Sequence, residues 1–351
     1  MINPLSDYPR RPLIFWQPAL SIHQTPLLER IALEWPGPVH LVVDQLQSVD
    51  RTKNSGWQAK APKGVIVSTN GALTPSEAVH IISGFYGTTQ WRSNRKRIIR
   101  NKCASVWVMS ESLQTRGNPL KVAGRLIRHG VAALKLNRRL QGYFAIGEKA
   151  ASQARKFGVS AERIIPFCYV TSPPVSSPAP LGQSRGSTQV LFVGKVSRTK
   201  ASDLLFKTDL GSSLNIRVIG SLSTDGIEIP DHVDYLGVVP NSEITSYLRE
   251  ADVLILPSRH DGWGAVINEA LLVGTPVVCT QACGGSTLIK GAEPYRGEII
   301  NKVSADAITL AVNKVLSAEV DRPAIEAWAI DAITPVVVSK YFVGSLQGEK
   351  V

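Results

Sequence analysis

One stretch, residues 251–280, constrains the fold more than any other part of this 351-residue chain. It opens with an apolar run of strand length, Val253–Leu256, and passes through a polar loop into an apolar helical pattern. Gly274 stands where a helix C-terminus favours a left-handed residue, and Pro276 prevents the helix from continuing. A second short apolar run follows. The stretch therefore predicts a strand–loop–helix–strand unit of the kind that builds parallel sheets.

Two acidic residues inside this unit point to a ligand. Asp261 lies in the loop at the carboxyl end of the first strand, where open α/β sheets place their ligands. Glu269 lies in a helix that is apolar nearly all round, so we expect it to be buried and to need hydrogen-bond partners. Hydroxyl groups of a sugar or of ribose would provide these hydrogen bonds, and so would a basic side chain nearby. The alternative is a Rossmann-like unit in which Glu269 simply emerges at a helix edge.

The glycine-flanked turn between these acids suits an anion. Gly262 and Gly264 surround Trp263 and let the first N–H groups of the helix approach a diphosphate. The run from Asp261 to Glu269 closely resembles the nucleotide-sugar site of family-4 (group 1) retaining glycosyltransferases of the GT-B fold. That site has an acid, seven residues and then a glutamate; here Asp replaces the commoner first Glu.

The resemblance implies a role for each residue of this run. Asp261 and the backbone N–H groups that follow it would hold the donor sugar, and Glu269 would bind the ribose hydroxyls. The residues that contribute those backbone groups are Gly262, Trp263, Gly264 and Ala265.

A second candidate site lies near residue 195. An apolar strand pattern ends at Gly194 and is followed by two lysines, Lys195 and Lys200, before a helix, which is a plausible diphosphate cradle. The segment resembles the family's second motif, in which a Gly-Arg turn and a later lysine hold the donor diphosphate. Lys195 stands at the arginine position, and Ala201 replaces the usual glycine after the second lysine. The resemblance also implies a contact between Val239 and the nucleotide base.

Composition sets the broad class of protein. Hydrophobic residues make up 44% of the chain and charged residues 19%, which indicates a folded globular protein long enough for two cores. No apolar run approaches the length of a membrane span, and the N-terminus lacks a secretory apolar core, so we expect a cytoplasmic protein. The four cysteines are too scattered for a disulfide framework or a zinc site, and we expect reduced thiols.

The positive charge is concentrated in the first half. Residues 1–180 hold 24 Lys and Arg against 9 Asp and Glu, whereas the remainder of the chain is slightly acidic. Such a half favours an anionic partner: nucleic acid, a membrane surface or an acidic glycan. A nucleic acid would explain the charge but not the two acids, and a solvated basic face is the plain alternative. Residues 92–102, the densest basic run, are predicted to form a solvated helix.

Residues 122–141 form a second basic segment, in which apolar residues recur at helical spacing beside arginines and lysines. Such a helix lies on an anionic membrane or packs its apolar stripe against its own sheet. Because many relatives act on lipid-linked acceptors, we predict reversible attachment at the inner face of the membrane.

The pattern of elements predicts two domains. Strands alternate with helices over residues 1–170, which we assign to the acceptor side, and again over residues 188–333, which we assign to the nucleotide-sugar. A Pro-, Ser- and Gly-rich linker, residues 171–187, separates them. Residues 334–351 are predicted to form a helix that, in this fold, crosses back to the first domain. In the first domain, His23, Gly84 and Phe85 follow strand ends and are candidates for the acceptor site.

The whole sequence predicts an α/β protein with two Rossmann-like doubly wound domains that face each other across a cleft (GT-B). The expected reaction is metal-independent, retaining transfer of a hexosyl group from a UDP- or GDP-sugar to a glycan or lipid-linked acceptor in surface polysaccharide or glycoconjugate synthesis. No cofactor is expected. A non-catalytic nucleotide-sugar-binding subunit, a GT-B epimerase and a phosphorylase remain alternatives. A dinucleotide oxidoreductase is disfavoured because no G-x-G-x-x-G follows an early strand.

Overall fold

The computed structural model describes residues 11–46, 60–115, 117–174, 188–209, 211, 214–291 and 293–349. The chain divides into two units, one built from residues up to 170 together with residues from 335 onwards, the other from residues 171–334. Most of the predicted linker, residues 175–187, lies outside the described residues.

The first unit is built on a parallel sheet of seven strands. Their bounds are β1 Leu13–Ala19, β2 Val39–Gln45, β3 Val65–Ser68, β4 Val79–Ser83, β5 Ser105–Glu111, β6 Leu140–Ile146 and β7 Ile164–Phe167. The order across the sheet is β3-β2-β1-β4-β5-β6-β7. The central strands are apolar on both faces because helices cover both sides, as in doubly wound folds.

Among the described residues, four α-helices connect these strands: α1 Thr25–Glu34, α2 Thr89–Arg100, α3 Pro119–Leu136 and α4 Glu148–Lys156. The helix predicted from the basic run is α2, and it is only partly solvated, because Trp91, Asn94 and Ile98 are buried. Thr88 caps its N-terminus by accepting a hydrogen bond from the backbone N–H of Trp91. Helix α3 ends five residues before the predicted limit of 141, because β6 already begins at Leu140.

The second unit has a six-stranded parallel sheet. Its strands are β8 Thr188–Val193, β9 Leu214–Ile219, β10 Val233–Gly237, β11 Val253–Leu256, β12 Val277–Thr280 and β13 Gly297–Ile300, in the order β10-β9-β8-β11-β12-β13. This is the Rossmann strand order, with the reversal between β8 and β11. The predicted α/β architecture with two doubly wound parallel sheets is confirmed.

Helices of the second unit are α5 Ser202–Leu205, α6 Asn241–Glu250, α7 Ala265–Leu271, α8 Ala305–Ser317 and α9 Arg322–Ile333. Gly274 ends the turn after α7 with a φ of 74°, as the sequence predicts. A side chain at this position would also collide with the backbone, since a Cβ would lie 2.4 Å from the carbonyl oxygen of Arg322.

The last helix, α10 Pro335–Gln347, belongs to the first unit. Its Phe342 is fully buried and lies 4.8 Å from Phe144 and 5.7 Å from Phe15 between ring centroids. Among the described residues, the stretch Arg322–Gln347 alone has the length and apolar character of a membrane span. It is two helices that meet at the extended residue Thr334, and 56% of its apolar window is buried. Buried core helices share this composition, so it is weak evidence for a span.

Candidate functional site

The predicted donor residues lie on two loops at the reversal point of the second sheet. One loop follows β8 and carries Gly194, Lys195 and Lys200. The other follows β11 and carries Asp261. Because β8 and β11 are adjacent parallel strands, their carboxyl ends meet at one edge of the sheet. Loops diverge from this point in opposite directions, which leaves the crevice where open α/β sheets bind their ligands.

An ion pair joins the two loops. The ammonium group of Lys200 donates a hydrogen bond to Oδ2 of Asp261, and both side chains are largely buried. The backbone of Asp261 is held from the other side, where its N–H donates to Ala282 at 3.1 Å and its carbonyl accepts from Gly284 at 3.3 Å. Asp261 is thus held between the loops after β8 and β12, with its carboxylate turned towards a cation.

A second ion pair, absent from the sequence predictions, fixes the same loops. Arg259 donates two hydrogen bonds to the carboxylate of Asp203, at 2.5 and 2.9 Å. Its backbone N–H also donates to the carbonyl of Thr199 at 2.8 Å. Bidentate Arg–carboxylate pairs fix geometry as well as charge. The Arg259–Asp203 pair and the backbone bond to Thr199 therefore hold the chain in place directly before Lys200.

Ala201 explains why a glycine is usual after the second lysine. It is fully buried and has a φ of 58°, the only positive φ at a non-glycine position among the described residues. Glycine adopts this left-handed conformation without steric cost, whereas alanine does not. The turn around it is closed by the N–H of Ser197, which donates to Oγ of Ser202 at 3.2 Å.

Trp263 anchors the turn that precedes α7. Its side chain is 2% exposed, and its indole N–H donates to Oδ1 of Asn268 at 2.6 Å. The carbonyl of Trp263 accepts a hydrogen bond from Gly285 at 2.8 Å. Gly264 follows with a φ of 86°, and a Cβ there would lie 2.9 Å from Leu256. Since the Trp263 ring is enclosed, any contact that Trp263 makes with a ligand would come from its backbone.

Glu269 lies in α7, as predicted, and is partly exposed as a residue. Protein surrounds its carboxyl group, and this burial raises the pKa of Glu269 to about 7. Its neighbours Ile267, Asn268 and Ala270 are buried. None of the residues that the structure describes donates a hydrogen bond to this carboxyl or pairs with it, so its demand for partners is unmet in the protein alone.

The remaining donor candidates also lie at this edge of the sheet. Lys195 is exposed directly after β8. Gly194 and Gly220 permit close backbone approach, because a Cβ on Gly220 would lie 1.9 Å from the carbonyl oxygen of Gly194. Val239, in the loop after β10, is partly buried beside the exposed Val238.

The acceptor candidates lie in the first unit, around the corresponding reversal between β1 and β4. His23 follows β1 and is partly buried, and Gly84 follows β4 with a φ of 71°. Phe85 is 4% exposed and stacks on Tyr143, so its ring offers little surface to a sugar. The next residue in this loop, Tyr86, is partly exposed to solvent.

The part of the chain that the structure describes contains no set of ligands for a metal ion. Nowhere among those residues do three His, Cys, Asp or Glu side chains come together in a way that would hold an ion. Asp261, the acid nearest the sheet reversal, has a lysine as its partner instead.

Comparison with known proteins finds similarity over the part of the chain that carries this site. Residues 177–331 match the family described as glycosyl transferases group 1. The D-inositol 3-phosphate glycosyltransferases of Nocardia farcinica and Thermobifida fusca are 30% and 33% identical over 132 residues, which are 32% and 31% of this chain. The match covers only 29% and 30% of the length of those two relatives.

Solved structures resemble nearly the whole chain. The lipopolysaccharide outer core galactosyltransferase WaaB matches with a TM-score of 0.66 at 15% identity, covering 96% of this chain and 99% of that protein. HepE of Anabaena, solved with UDP-glucose, matches with a TM-score of 0.67 at 14% identity, covering 97% and 100%. At such identities these likenesses show the fold alone.

Proposed function

We propose that the chain is a group 1 glycosyltransferase that transfers a hexosyl group from a nucleotide-diphosphate sugar to an acceptor hydroxyl, because residues 177–331 match that family and the chain has the fold of solved glycosyltransferases. The observation that carries the proposal is the Lys200–Asp261 pair at the reversal point of the second sheet. It sets a cation and a hydrogen-bond acceptor side by side where this fold binds ligands.

In this reaction the bond between the anomeric carbon and the phosphate oxygen breaks, a bond to the acceptor oxygen forms, and the proton of the acceptor hydroxyl passes to the leaving diphosphate. Negative charge develops on the leaving diphosphate, so a cation placed there lowers the barrier. Lys200 and the exposed Lys195 would supply it, together with backbone N–H groups at Gly264 and Ala265. Asp261 would accept hydrogen bonds from hydroxyls of the donor sugar, and Glu269 from the ribose hydroxyls.

The stereochemistry and the metal requirement belong to the same proposal. We expect retention of the anomeric configuration, which the resemblance of the Asp261–Glu269 run to retaining enzymes favours. We also expect activity without a divalent ion, because lysines take over the neutralisation of the diphosphate that a metal provides elsewhere. Lys195 in place of the family's arginine keeps the charge without the bidentate fork.

The donor base and the acceptor follow from the relatives by analogy. HepE was solved with UDP-glucose, which favours a UDP-sugar here over a GDP-sugar. In this proposal the loop containing Val239 contacts the base. The acceptor is a glycan or a lipid-linked sugar of surface polysaccharide synthesis, held in the first unit near His23 and Gly84.

The outer face of α3 supports work at a membrane surface. Four of its apolar side chains point to solvent, and on an α-helix they fall within an arc of about 60°. They are Leu120, Ile127, Val131 and Leu134, which are 83%, 64%, 46% and 72% exposed. Lys121, Arg128 and Lys135 flank this stripe. An apolar stripe with a basic margin suits an anionic bilayer, so we place the protein in the cytoplasm, reversibly attached to the inner membrane face.

The test is a panel of nucleotide-sugars. Each is added to the protein with and without EDTA, first in a thermal-shift assay and then with candidate acceptors, and product anomers are identified by NMR. We expect a UDP-sugar to raise the melting temperature by mass action and to give a retained product that is insensitive to EDTA. Stabilisation without transfer to any acceptor would favour a non-catalytic binding subunit, and stabilisation by no nucleotide-sugar would refute the proposal.

A further inference from the structure

A cluster of basic and aromatic side chains lies in the first unit, outside the donor residues. Its centre is Tyr86, in the loop after β4. The guanidinium of Arg92 lies 4.7 Å from the centroid of the tyrosine ring, and that of Arg128 lies 5.8 Å from it. The His129 ring is 6.0 Å away, centroid to centroid. We refer to these four residues as the Tyr86 cluster.

In the part of the chain that the structure describes, no carboxylate pairs with the arginines of the cluster. Arg92 donates hydrogen bonds at 2.9 Å to the carbonyl of Gly87 and to Oγ1 of Thr89, both uncharged groups. Within the described residues, neither Arg92 nor Arg128 forms an ion pair with a carboxylate. Arg125, one turn earlier on α3, donates to a backbone carbonyl. Like charges gathered around one ring repel each other, so this arrangement favours an anion beside them.

Three elements converge on the cluster. Gly84 is buried, and a Cβ there would lie 3.4 Å from Oγ of Ser110, near the end of β5, and 3.5 Å from Cε1 of His129 on α3. The loop after β4 therefore lies directly against the helix that carries Arg128. Since β4 borders β1, where the order of the first sheet reverses, the cluster occupies that sheet's expected ligand position.

The chemistry of the cluster fits a phosphate group. An arginine has five N–H donors in a planar fork that matches phosphate oxygens, and Arg92 uses only two of its hydrogen-bonding N–H groups internally. Burial, together with the charges of Arg128 and Arg125, lowers the pKa of His129, so the imidazole is neutral near pH 7 and still has one N–H to donate. The guanidinium groups of Arg92 and Arg128, together with the imidazole of His129, suit a doubly charged anion.

We propose that the Tyr86 cluster binds a phosphate group on the acceptor. The inference rests on the proposed function, because it takes the first unit as the acceptor side, and it deepens that function by naming the acceptor's chemical class. It also gives the excess positive charge of residues 1–180 a local role. A soluble sugar phosphate and a phospholipid-like headgroup both carry such a group, and the experiment separates them.

The first arm uses the full-length protein with ¹⁵N-labelled histidine. The His129 resonance is assigned by its loss in His129→Gln, and sn-glycerol 3-phosphate is titrated, with glycerol as the uncharged control. We expect a saturable shift of the His129 signal with the phosphate ester only. Arg92→Gln and Arg128→Gln should each weaken this binding at least tenfold. Arg100→Gln, at the exposed end of α2, is the matched control and should leave it unchanged.

The second arm measures sedimentation with vesicles that contain phosphatidic acid. A larger loss of binding for Arg92→Gln than for Arg100→Gln identifies a lipid headgroup as a ligand, because both variants remove one charge from the same helix. Arg92-dependent binding in either arm supports the proposal. Identical behaviour of the Arg92 and Arg100 variants in both arms, with Arg128→Gln equal to them in the titration, overturns it and leaves Tyr86 with a structural role.

Failure of the proposed function is measured separately. Stabilisation by nucleotide-sugars depends on residues of the second unit, so it should be the same in Arg92→Gln, Arg128→Gln and the wild-type protein. If Arg92→Gln unfolds because the Gly87 contact is lost, Arg128→Gln carries the test, since Arg128 makes no hydrogen bond among the described residues.

Discussion

The ammonium group of Lys200 and the carboxylate of Asp261, 61 residues apart in sequence, form an ion pair between the loops after β8 and β11. Each thereby neutralises the other in the absence of a ligand. A donor diphosphate would draw the lysine towards itself and leave the carboxylate to accept hydrogen bonds from sugar hydroxyls. In the proposed function the pair would thus supply both groups to the donor, and neither is left unpaired in the free protein.

Lys200→Ala should reduce turnover by about a hundredfold or more, the scale seen when one electrostatic stabiliser of a transition state is removed. Initial rates of nucleotide release in the presence of acceptor measure this. Lys207→Ala removes an exposed lysine from the same segment and should keep the wild-type rate. Lys195→Arg should be tolerated, because it restores the bidentate fork. A wild-type rate for Lys200→Ala would remove the diphosphate assignment.

Glu269→Gln should weaken donor binding by about 1.5–3 kcal/mol, because hydrogen bonds from ribose hydroxyls to a charged acceptor are lost. Calorimetry with the stabilising nucleotide-sugar gives the dissociation constant. The 2′,3′-dideoxyribose analogue of the donor is the matched ligand, and it should bind both proteins equally. An unchanged affinity for the normal donor in folded Glu269→Gln would exclude Glu269 from the site.

The raised pKa of Glu269 predicts a pH-dependent stability. A carboxyl with a native pKa of about 7 holds its proton in the folded state at pH values where the unfolded chain has released it. Its contribution to stability therefore falls as the pH rises from about 4.5 to about 7, by up to about 3 kcal/mol for a fully buried group and less for this partly exposed one. Urea unfolding at pH 5 and pH 8 should show Glu269→Gln gaining stability relative to wild type at pH 8. A pH-independent difference would contradict the shift.

Ala201→Gly should stabilise the protein slightly or leave it unchanged, although glycine usually destabilises. The left-handed φ of 58° costs alanine about 1 kcal/mol or more, which offsets the extra freedom of glycine in the unfolded chain and the loss of a buried methyl group. Ala123→Gly, at an exposed position within α3, is the control and should cost about 1 kcal/mol. Equal losses from both substitutions, measured by urea unfolding, would contradict the strain at Ala201.

Replacing Ile127 and Leu134 together by serine should reduce binding to anionic vesicles at least tenfold, because two exposed apolar side chains no longer enter the bilayer. Co-sedimentation at low and high salt measures this, and binding by wild type should fall with salt because the basic margin is screened. Leu310→Ser, on the second unit, removes an equally exposed leucine and should have no effect. If wild type fails to bind anionic vesicles even at low salt, the membrane proposal is wrong.

Hydrophobic periodicity was sufficient to predict the central strands. Runs such as Val253–Leu256 are apolar on both faces because helices cover both sides of a parallel sheet. The edge strands β7 and β13 were not predicted, since Pro166 interrupts the first and the second opens with Gly297 and Glu298, residue types that are depleted in strands. Burial at the edge leaves a weaker pattern in the sequence than burial at the centre.

Spacing in the sequence predicted the candidate site only where its residues lie close together in the chain. Asp261 and Glu269 lie on one loop and the helix after it, so their separation is visible in the chain. The Arg259–Asp203 pair and the Tyr86 cluster join residues that are far apart in sequence, and nothing local indicates such contacts. Adjacent aromatics pose a similar difficulty, because only tertiary packing shows that Phe85 faces the core while Tyr86 faces solvent.

Helix α10 has a consequence for how the protein is made. Because Phe342 packs between Phe15 and Phe144, the hydrophobic core of the first unit includes a segment that leaves the ribosome only after the whole of the second unit. Because synthesis proceeds from the N-terminus, the second unit is fully synthesised before α10. At that point the first unit, although begun earlier, still exposes the aromatic surface that α10 covers. The usual order of co-translational folding, N-terminal domain first, is reversed for the final packing step. A nascent chain paused before Pro335 would depend on a chaperone to shield that surface.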